Sequence, residues 1–378
     1  MAALTEEQSM IRDQARSWVT EQSPVQKFRE LRDSGNEKGF TPETWSEMVS
    51  MGWPGIIIPE QYGGAGLGFL TLGIVLEETG RQLTASPLAA SALVGASAIL
   101  LGGSDAQKQT WLPGIVDGSA ILTLAVDESH QHAPENVALK AEQTSGGYEL
   151  TGMKTFVLEG SAATAFVVAA RTDGSPGDTD GITLFVVPAN LPGITPQPLK
   201  TVDSRGFANV EFQSVRVDGD AVLGRAGEGY AVLDATLDRA RAGLGAEMLG
   251  TAAQAFDMTL DYLKTRKQFG QVIGSFQALG HRAAELFAEM ELARSCVEAA
   301  LQALDDGADD VDQLCSLSKC KVGDFLHHAS NELIQIHGGI GMTDEFDAGF
   351  YLKRARVVAA TFGNQAFHRN RYAKLLGF

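Results

Sequence analysis

Apolar residues change their spacing twice along this chain of 378 residues. Near the start, Met10, Ile11, Ala15, Trp18 and Val19 recur at helical spacing and form one predicted apolar face. Thr5 followed by Gln8 is a capping box that opens this helix. Thr41-Pro42 opens another, and Ser104 with Gln107 caps a third. The run "PLAASALVGASAILLGG" is thinned by Ala, Ser and Gly and is too short to span a bilayer, so it reads as a buried helix.

From about Ala120 to Asp218 the texture is different. "AILTLAV", "YELTGMKTFVL", "AFVVAAR", "GITLFVVPA" and "ANVEFQSVRV" are short β-rich runs separated by Gly, Pro, Asp and Ser. Strands so closely spaced, with no helices between them, predict an antiparallel barrel or sandwich. All 12 prolines lie at or before Pro198. The proline-free remainder suits long helices, which a mid-helix proline would kink or break. Helical periodicity runs from about Gly227 to Arg266, and again from about Ser275, about Asp309 and about Asp344 to the end. Four helices with short connections predict a four-helix bundle. The fold class is therefore α+β and multidomain: an N-terminal helical domain over 1–119, a β-domain over 120–224 and a C-terminal helical bundle over 225–378.

Composition narrows the function. With 44% hydrophobic and 20% charged residues the chain reads as globular, and a net charge of −17 argues against nucleic-acid or anionic-membrane surfaces. The start carries neither a basic segment nor an apolar core, so no signal peptide is expected and the predicted location is cytoplasmic. Cys296, Cys315 and Cys320 fit neither a disulfide framework nor a CxxC metal spacing. His327-His328 are adjacent and cannot share a helical face as metal ligands do, so no metal is expected. No GxGxxG, P-loop, HExxH or GxSxG motif occurs.

Three clusters carry candidate chemistry. In "RKQFGQVIGSFQALGH", Arg266 and Gln277 flank a Phe-Gly turn between two helices. Arg suits a phosphate and Gln a purine edge or carbonyl, although on composition alone capping or bridging helices is the favoured account of both. In "QIHGGIGM", Gln335 to Met342, paired glycines end a helix and let a ligand approach the backbone. In "EQYGGAGLGFLTLGIVLEETGR" a Gly-rich loop feeds a helix.

Taken together, in this order and at these distances, the clusters and the β module resemble the acyl-CoA dehydrogenase family over essentially the whole chain. The resemblance implies FAD as cofactor, an acyl-CoA substrate, a homo- or heterotetramer and an electron-transferring flavoprotein as electron acceptor. It implies that Arg266, Phe269 and Gln277 reach the FAD of a neighbouring subunit. Gln335, Gly338 and Gly339 would grip the diphosphate end of the same cofactor. Asp238, Arg241 and Gly363 would lie on the substrate side, and Phe156 would stack on the flavin ring.

The family reaction is α,β-desaturation of an acyl-CoA thioester, which needs a base for the α-proton. The two usual base positions fall on Phe362 and Ala240, and neither side chain accepts a proton. The flavin-side motifs are replaced by "VDESHQHAPE" and "FVLE". Glu247 follows Ala240 by seven residues, on nearly the same helix face and about 10 Å along the axis. It is the candidate base; the alternative is a glutamate paired with a bundle arginine. The pattern resembles the degenerate subunit of heteromeric, steroid-type acyl-CoA dehydrogenases. Other readings are a self-sufficient homotetramer using Glu247, a flavin monooxygenase on the same fold, and a non-catalytic partner subunit.

Overall fold

The computed structural model describes residues 4–378. The chain forms two compact units, one of residues 1–29, 69–84 and 241–378, the other of residues 30–68 and 85–240.

In the first unit, α1 (Glu6–Glu21) starts with the predicted capping box: the Thr5 hydroxyl accepts from Gln8 N at 3.1 Å and Gln8 Oε1 accepts from Thr5 N at 3.1 Å. Such a cap contributes about 1 kcal/mol. Ala15 and Val19 are buried, but Met10 is 67% exposed and leaves the predicted apolar face. Helices α4 (Gly68–Arg81) and α7 (Tyr230–Thr265) make backbone-to-backbone contact. A Cβ on Gly80 would lie 2.2 Å from the Glu247 carbonyl oxygen, and one on Gly250 would lie 1.8 Å from that of Glu77. Only glycine fits at either place. Asp305 accepts from Phe69 N at 2.6 Å and Leu70 N at 2.9 Å, satisfying donors at the start of α4.

The bundle continues with α8 (Gln277–Asp306), α9 (Val311–His337), α10 (Ala348–Ala360) and α11 (Gln365–Leu375). The stretch after Asp344, expected to be one helix, is two. Phe362 (φ 55°) and Gly363 (φ 104°) are left-handed, and Asn364 caps α11 by accepting from Phe367 N. A helix cannot run through two such residues.

The second unit carries α3 (Pro42–Ser50), capped by Thr41 as expected, and a short π-helical stretch over 89–95 running into α5 (Ala96–Gly102). These last two segments are the buried "ASALVG" run and its continuation. The predicted capping box of Ser104 and Gln107 opens α6 (Asp105–Val116). Helix α2 (Val25–Ser34) and α7 pass from one unit into the other.

The β-rich region forms one sheet of β1 (Leu122–Ala125), β2 (Lys140–Gln143), β3 (Gly147–Val157), β4 (Ala165–Arg171), β5 (Ile182–Pro188), β6 (Ile194–Pro198), β7 (Ala208–Asp218) and β8 (Val222–Leu223). Its order is β6-β7-β3-β2-β4-β5-β8, with β1 also on β4. Most ladders are antiparallel as expected, but β1 and β2 pair with β4 in parallel. All seven residues of β4 are buried, so its continuous apolar run reflects burial on both faces. Phe166, Phe185 and Phe212 stand in the core of this sheet.

No helix among the described residues is long and apolar enough to cross a membrane, and no group of His, Cys, Asp and Glu among them is placed to hold a metal.

Candidate cofactor and acyl site

Helix α7 ends at Thr265, and Arg266 leads into the two-residue strands β9 (Lys267–Gln268) and β10 (Gln271–Val272). Phe269 (φ 54°) and Gly270 (φ 80°) make the turn, both left-handed as a type I′ hairpin requires. The turn puts Phe269 91% in solvent, touched edge-on by Phe276 at 6.1 Å. Gln277 starts α8, and the side chains of Arg266, Gln277 and Gln335 are all exposed. None of these three side chains has a hydrogen bond or ion pair among the described residues. They face away from their own fold, so the capping role left open by the sequence is not what they do here.

At the end of α9, Gly338 (φ 61°) leaves the helix through a conformation suited to glycine. A Cβ at Gly338 or Gly339 would meet nothing within 4 Å, so there is open space beside this turn. His337 joins this segment to the end of α7. Its ring stacks on Tyr262 at 4.1 Å and lies against Phe346 at 4.6 Å, and its Nδ1 is 2.8 Å from the Leu333 carbonyl. The "QIHGGIGM" motif contains this histidine, but only the fold shows that two rings flank it.

A guanidinium, two amides and an open glycine turn, all unengaged and solvent-facing, fit a dinucleotide with a phosphate end. Arg266, Gln277, Gln335, Gly338 and Gly339 are the residues of this chain that would hold FAD.

The expected base positions lie elsewhere in the bundle. Ala240 is fully buried in α7 and Phe362 is 6% exposed. The Phe362 carbonyl lies 3.5 Å from Arg241 Nε and 3.2 Å from His368 Nε2. Lys319, fully buried on α9, donates to the carbonyls of Val358 (3.1 Å), Ala359 (3.0 Å) and Gly363 (3.3 Å). Burial, with the nearby Arg241 and Arg354 guanidinium groups, pushes its ammonium down to about 7. Backbone oxygens of Val358, Ala359, Phe362 and Gly363 are therefore engaged by Lys319 and Arg241. Sequence reasoning missed Lys319, because its three partners are 39 to 44 residues away.

Glu247 is 8% exposed, and its Oε1 accepts from Arg354 Nε at 3.0 Å and Nη2 at 2.6 Å. This is the paired arrangement that the sequence left as the alternative to a base. Asp238 is 4% exposed and Arg241 is fully buried, three residues apart on α7.

In the β-domain, the segment replacing the flavin-side motif is bonded to itself. His132 Nδ1 lies 2.9 and 3.0 Å from the two Asp127 carboxylate oxygens. Glu128 accepts from Ala138 N, Leu139 N and the fully buried Lys154 Nζ, the last at 2.6 Å. Burial lowers the Lys154 ammonium, and Glu128 opposes that shift. Phe156 (φ 50°) is 51% exposed, its N–H directed at Asn209 Oδ1, 3.3 Å away.

Three family profiles match the chain: acyl-CoA dehydrogenase N-terminal domain over residues 5–119, middle domain over 127–215 and C-terminal domain over 227–377. The probable acyl-CoA dehydrogenase YngJ of Bacillus subtilis is 30% identical over 372 residues, 97% of each chain. Among solved structures, the chain resembles a steroid ACAD, Tcur3481-Tcur3483, with TM-score 0.89 and 31% identity over 98% of both chains. It resembles the ChsE4-ChsE5 complex from Mycobacterium tuberculosis equally well, with TM-score 0.89 and 28% identity over 99% of this chain and 98% of that one.

Proposed function

The chain belongs to the acyl-CoA dehydrogenase family of FAD-dependent oxidoreductases, and from that premise we propose that it is the base-deficient subunit of a heteromeric acyl-CoA dehydrogenase. The observation that carries this reading is the outward set of Arg266, Gln277 and Gln335, whose side chains have no hydrogen bond or ion pair among the described residues. Across a subunit interface the Arg266 guanidinium would bind a phosphate, and the two amides would orient the nucleotide. Phe269, at 91% exposure, would be covered by the neighbouring subunit.

Bound FAD would supply the acceptor for the β-hydrogen of the acyl group, which leaves as hydride. The α-proton must go to a carboxylate, and this chain has Ala240 and Phe362 at the two usual positions. Glu247, whose Oε1 is engaged by Arg354, is poorly placed to take it. The base is therefore assigned to the partner. Arg241 and Asp238 remain the substrate-side pair, and Phe156 the ring against the flavin. The likeness to a steroid ACAD supports a bulky acyl group as substrate. An electron-transferring flavoprotein is the acceptor this reading expects.

The test is to purify the chain alone and together with a second acyl-CoA dehydrogenase-like chain. The mixed oligomer should hold about half a flavin per subunit and desaturate acyl-CoA, while the lone chain does neither. A flavin-replete homotetramer that turns over alone would overturn the reading in favour of Glu247. Oxygen-dependent product would point to a monooxygenase, and CoA-ester binding without turnover in any assembly to a non-catalytic subunit.

A further inference from the structure

Residues 340–347 join the Gly338–Gly339 turn to α10, and a side chain from α2 holds the far end of that link. Arg29 gives Nη1 to the main-chain carbonyl and to a carboxylate oxygen of Asp344, at 2.6 and 3.1 Å, and Nη2 to the Asp347 carboxylate at 2.6 Å. Its guanidinium also lies over the Phe350 ring, 4.6 Å from the centroid, while Phe28 meets that ring edge-on at 5.3 Å. One planar group thus grips a carbonyl, two carboxylates and a ring, a combination a compact ammonium cannot match. The Arg29 side chain is 16% exposed, so these contacts are shielded more than those of an ordinary surface pair.

Asp347 shows what the grip displaces. It stands at the N-cap of α10, where an aspartate ordinarily accepts from the first amides of its own helix, yet its side chain makes no such bond. It is turned to Arg29 instead. Phe346 lies between the two gripped aspartates, and its ring packs on the buried His337 at 4.6 Å. His337 immediately precedes Gly338 and stacks on Tyr262 at 4.1 Å. Contacts therefore run unbroken from α2 to the glycine turn and to the end of α7 that leads into Arg266.

We propose that Arg29 is a positioning residue for the cofactor turn. By fixing Asp344 and Asp347 it holds Phe346 against His337, and so sets where Gly338 and Gly339 stand. The role in FAD binding rests on the function proposed above, whereas the hold on the segment does not. A plain strut between α2 and α10 would behave differently: its loss would lower overall stability without acting through Phe346.

Hydrogen exchange on the purified full-length chain tests the hold without cofactor. Arg29→Met should leave the Gln335–Asp347 peptide about tenfold less protected, the order lost with one charge-assisted hydrogen bond, and a mid-α8 peptide unchanged. Arg29→Lys, which keeps the charge but not the planar fork, should recover little of this. Phe346→Ala should produce a similar loss, and adding Arg29→Met to it should change little more, because one acts through the other. Unchanged protection in Arg29→Met, a lysine variant equal to wild type, or fully additive losses overturns the proposal. If Arg29→Met does not fold, Asp347→Asn breaks one arm of the grip at a partly exposed side chain and should lower protection of the same peptide severalfold; no change there overturns it equally. In the assembled oligomer, Arg29→Met should weaken FAD binding about tenfold while kcat at saturating FAD is retained. If exchange behaves as stated but FAD affinity does not move, the assigned cofactor site fails and the hold stands.

Discussion

Arg354 reaches from α10 to α7 and gives both Nε and Nη2 to one oxygen of Glu247, at 3.0 and 2.6 Å, with both side chains nearly out of solvent. A pair this buried contributes more to arrangement than to net stability, but removing one partner strands a charge. Arg354→Met should lower unfolding stability by about 3 kcal/mol, measured by urea denaturation. Glu247→Gln should destabilise similarly, yet leave desaturation by the assembled oligomer within a few-fold of wild type. Abolished turnover with flavin retained would instead identify Glu247 as the base.

Arg266→Met is expected to separate folding from binding. The guanidinium is exposed and has no hydrogen bond or ion pair among the described residues, so the stability of the isolated protein should not move beyond about 0.5 kcal/mol. Flavin retention by the oligomer should fall by about one to two decades, the loss of a charge-assisted hydrogen bond. Flavin content after gel filtration reads this directly.

The contact of α4 with α7 admits no side chain at Gly250, where a Cβ would sit 1.8 Å from the Glu77 carbonyl oxygen. Gly250→Ala should cost about 1–3 kcal/mol by forcing the helices apart, despite alanine's better helix propensity. Thermal unfolding checks it, with exposed Gly280→Ala on α8, where no neighbour lies within 4 Å, as the stabilising control.

Lys319 makes a prediction about alkaline stability. Its ammonium is pushed from 10.5 down to about 7 in the folded chain, so between those values the unfolded chain holds the proton and the folded chain does not. Stability should therefore rise with pH across that window, by up to about 1.4 kcal/mol per pH unit from this group. Lys319→Met should remove that contribution. Denaturant midpoints at pH 7, 8 and 9 for both proteins, compared as differences, would show it.

Much of the architecture is written locally. Thr5 with Gln8, Thr41 with Pro42 and Ser104 with Gln107 each specify a helix start within four residues, and the structure places starts there. The break at Phe362 is not local. Nothing in "VVAATFGNQAF" forces a bulky residue left-handed; Arg241, Lys319 and His368 hold the turn from other parts of the bundle. Pairing over long sequence separation also hid the fate of Glu247, whose arginine lies 107 residues on. Met10 matched the helical period of its neighbours but gained no cover, because periodicity names a face without naming what lies opposite. The parallel pairing of β1 and β2 with β4 escaped for the same reason, since alternation and turns do not fix strand direction.

The turn between α10 and α11 is gripped by its main chain. Because the restraining donors attach to oxygens that every amino acid possesses, the path of this turn leans on Arg241, Lys319 and His368 more than on what the side chain at position 362 touches.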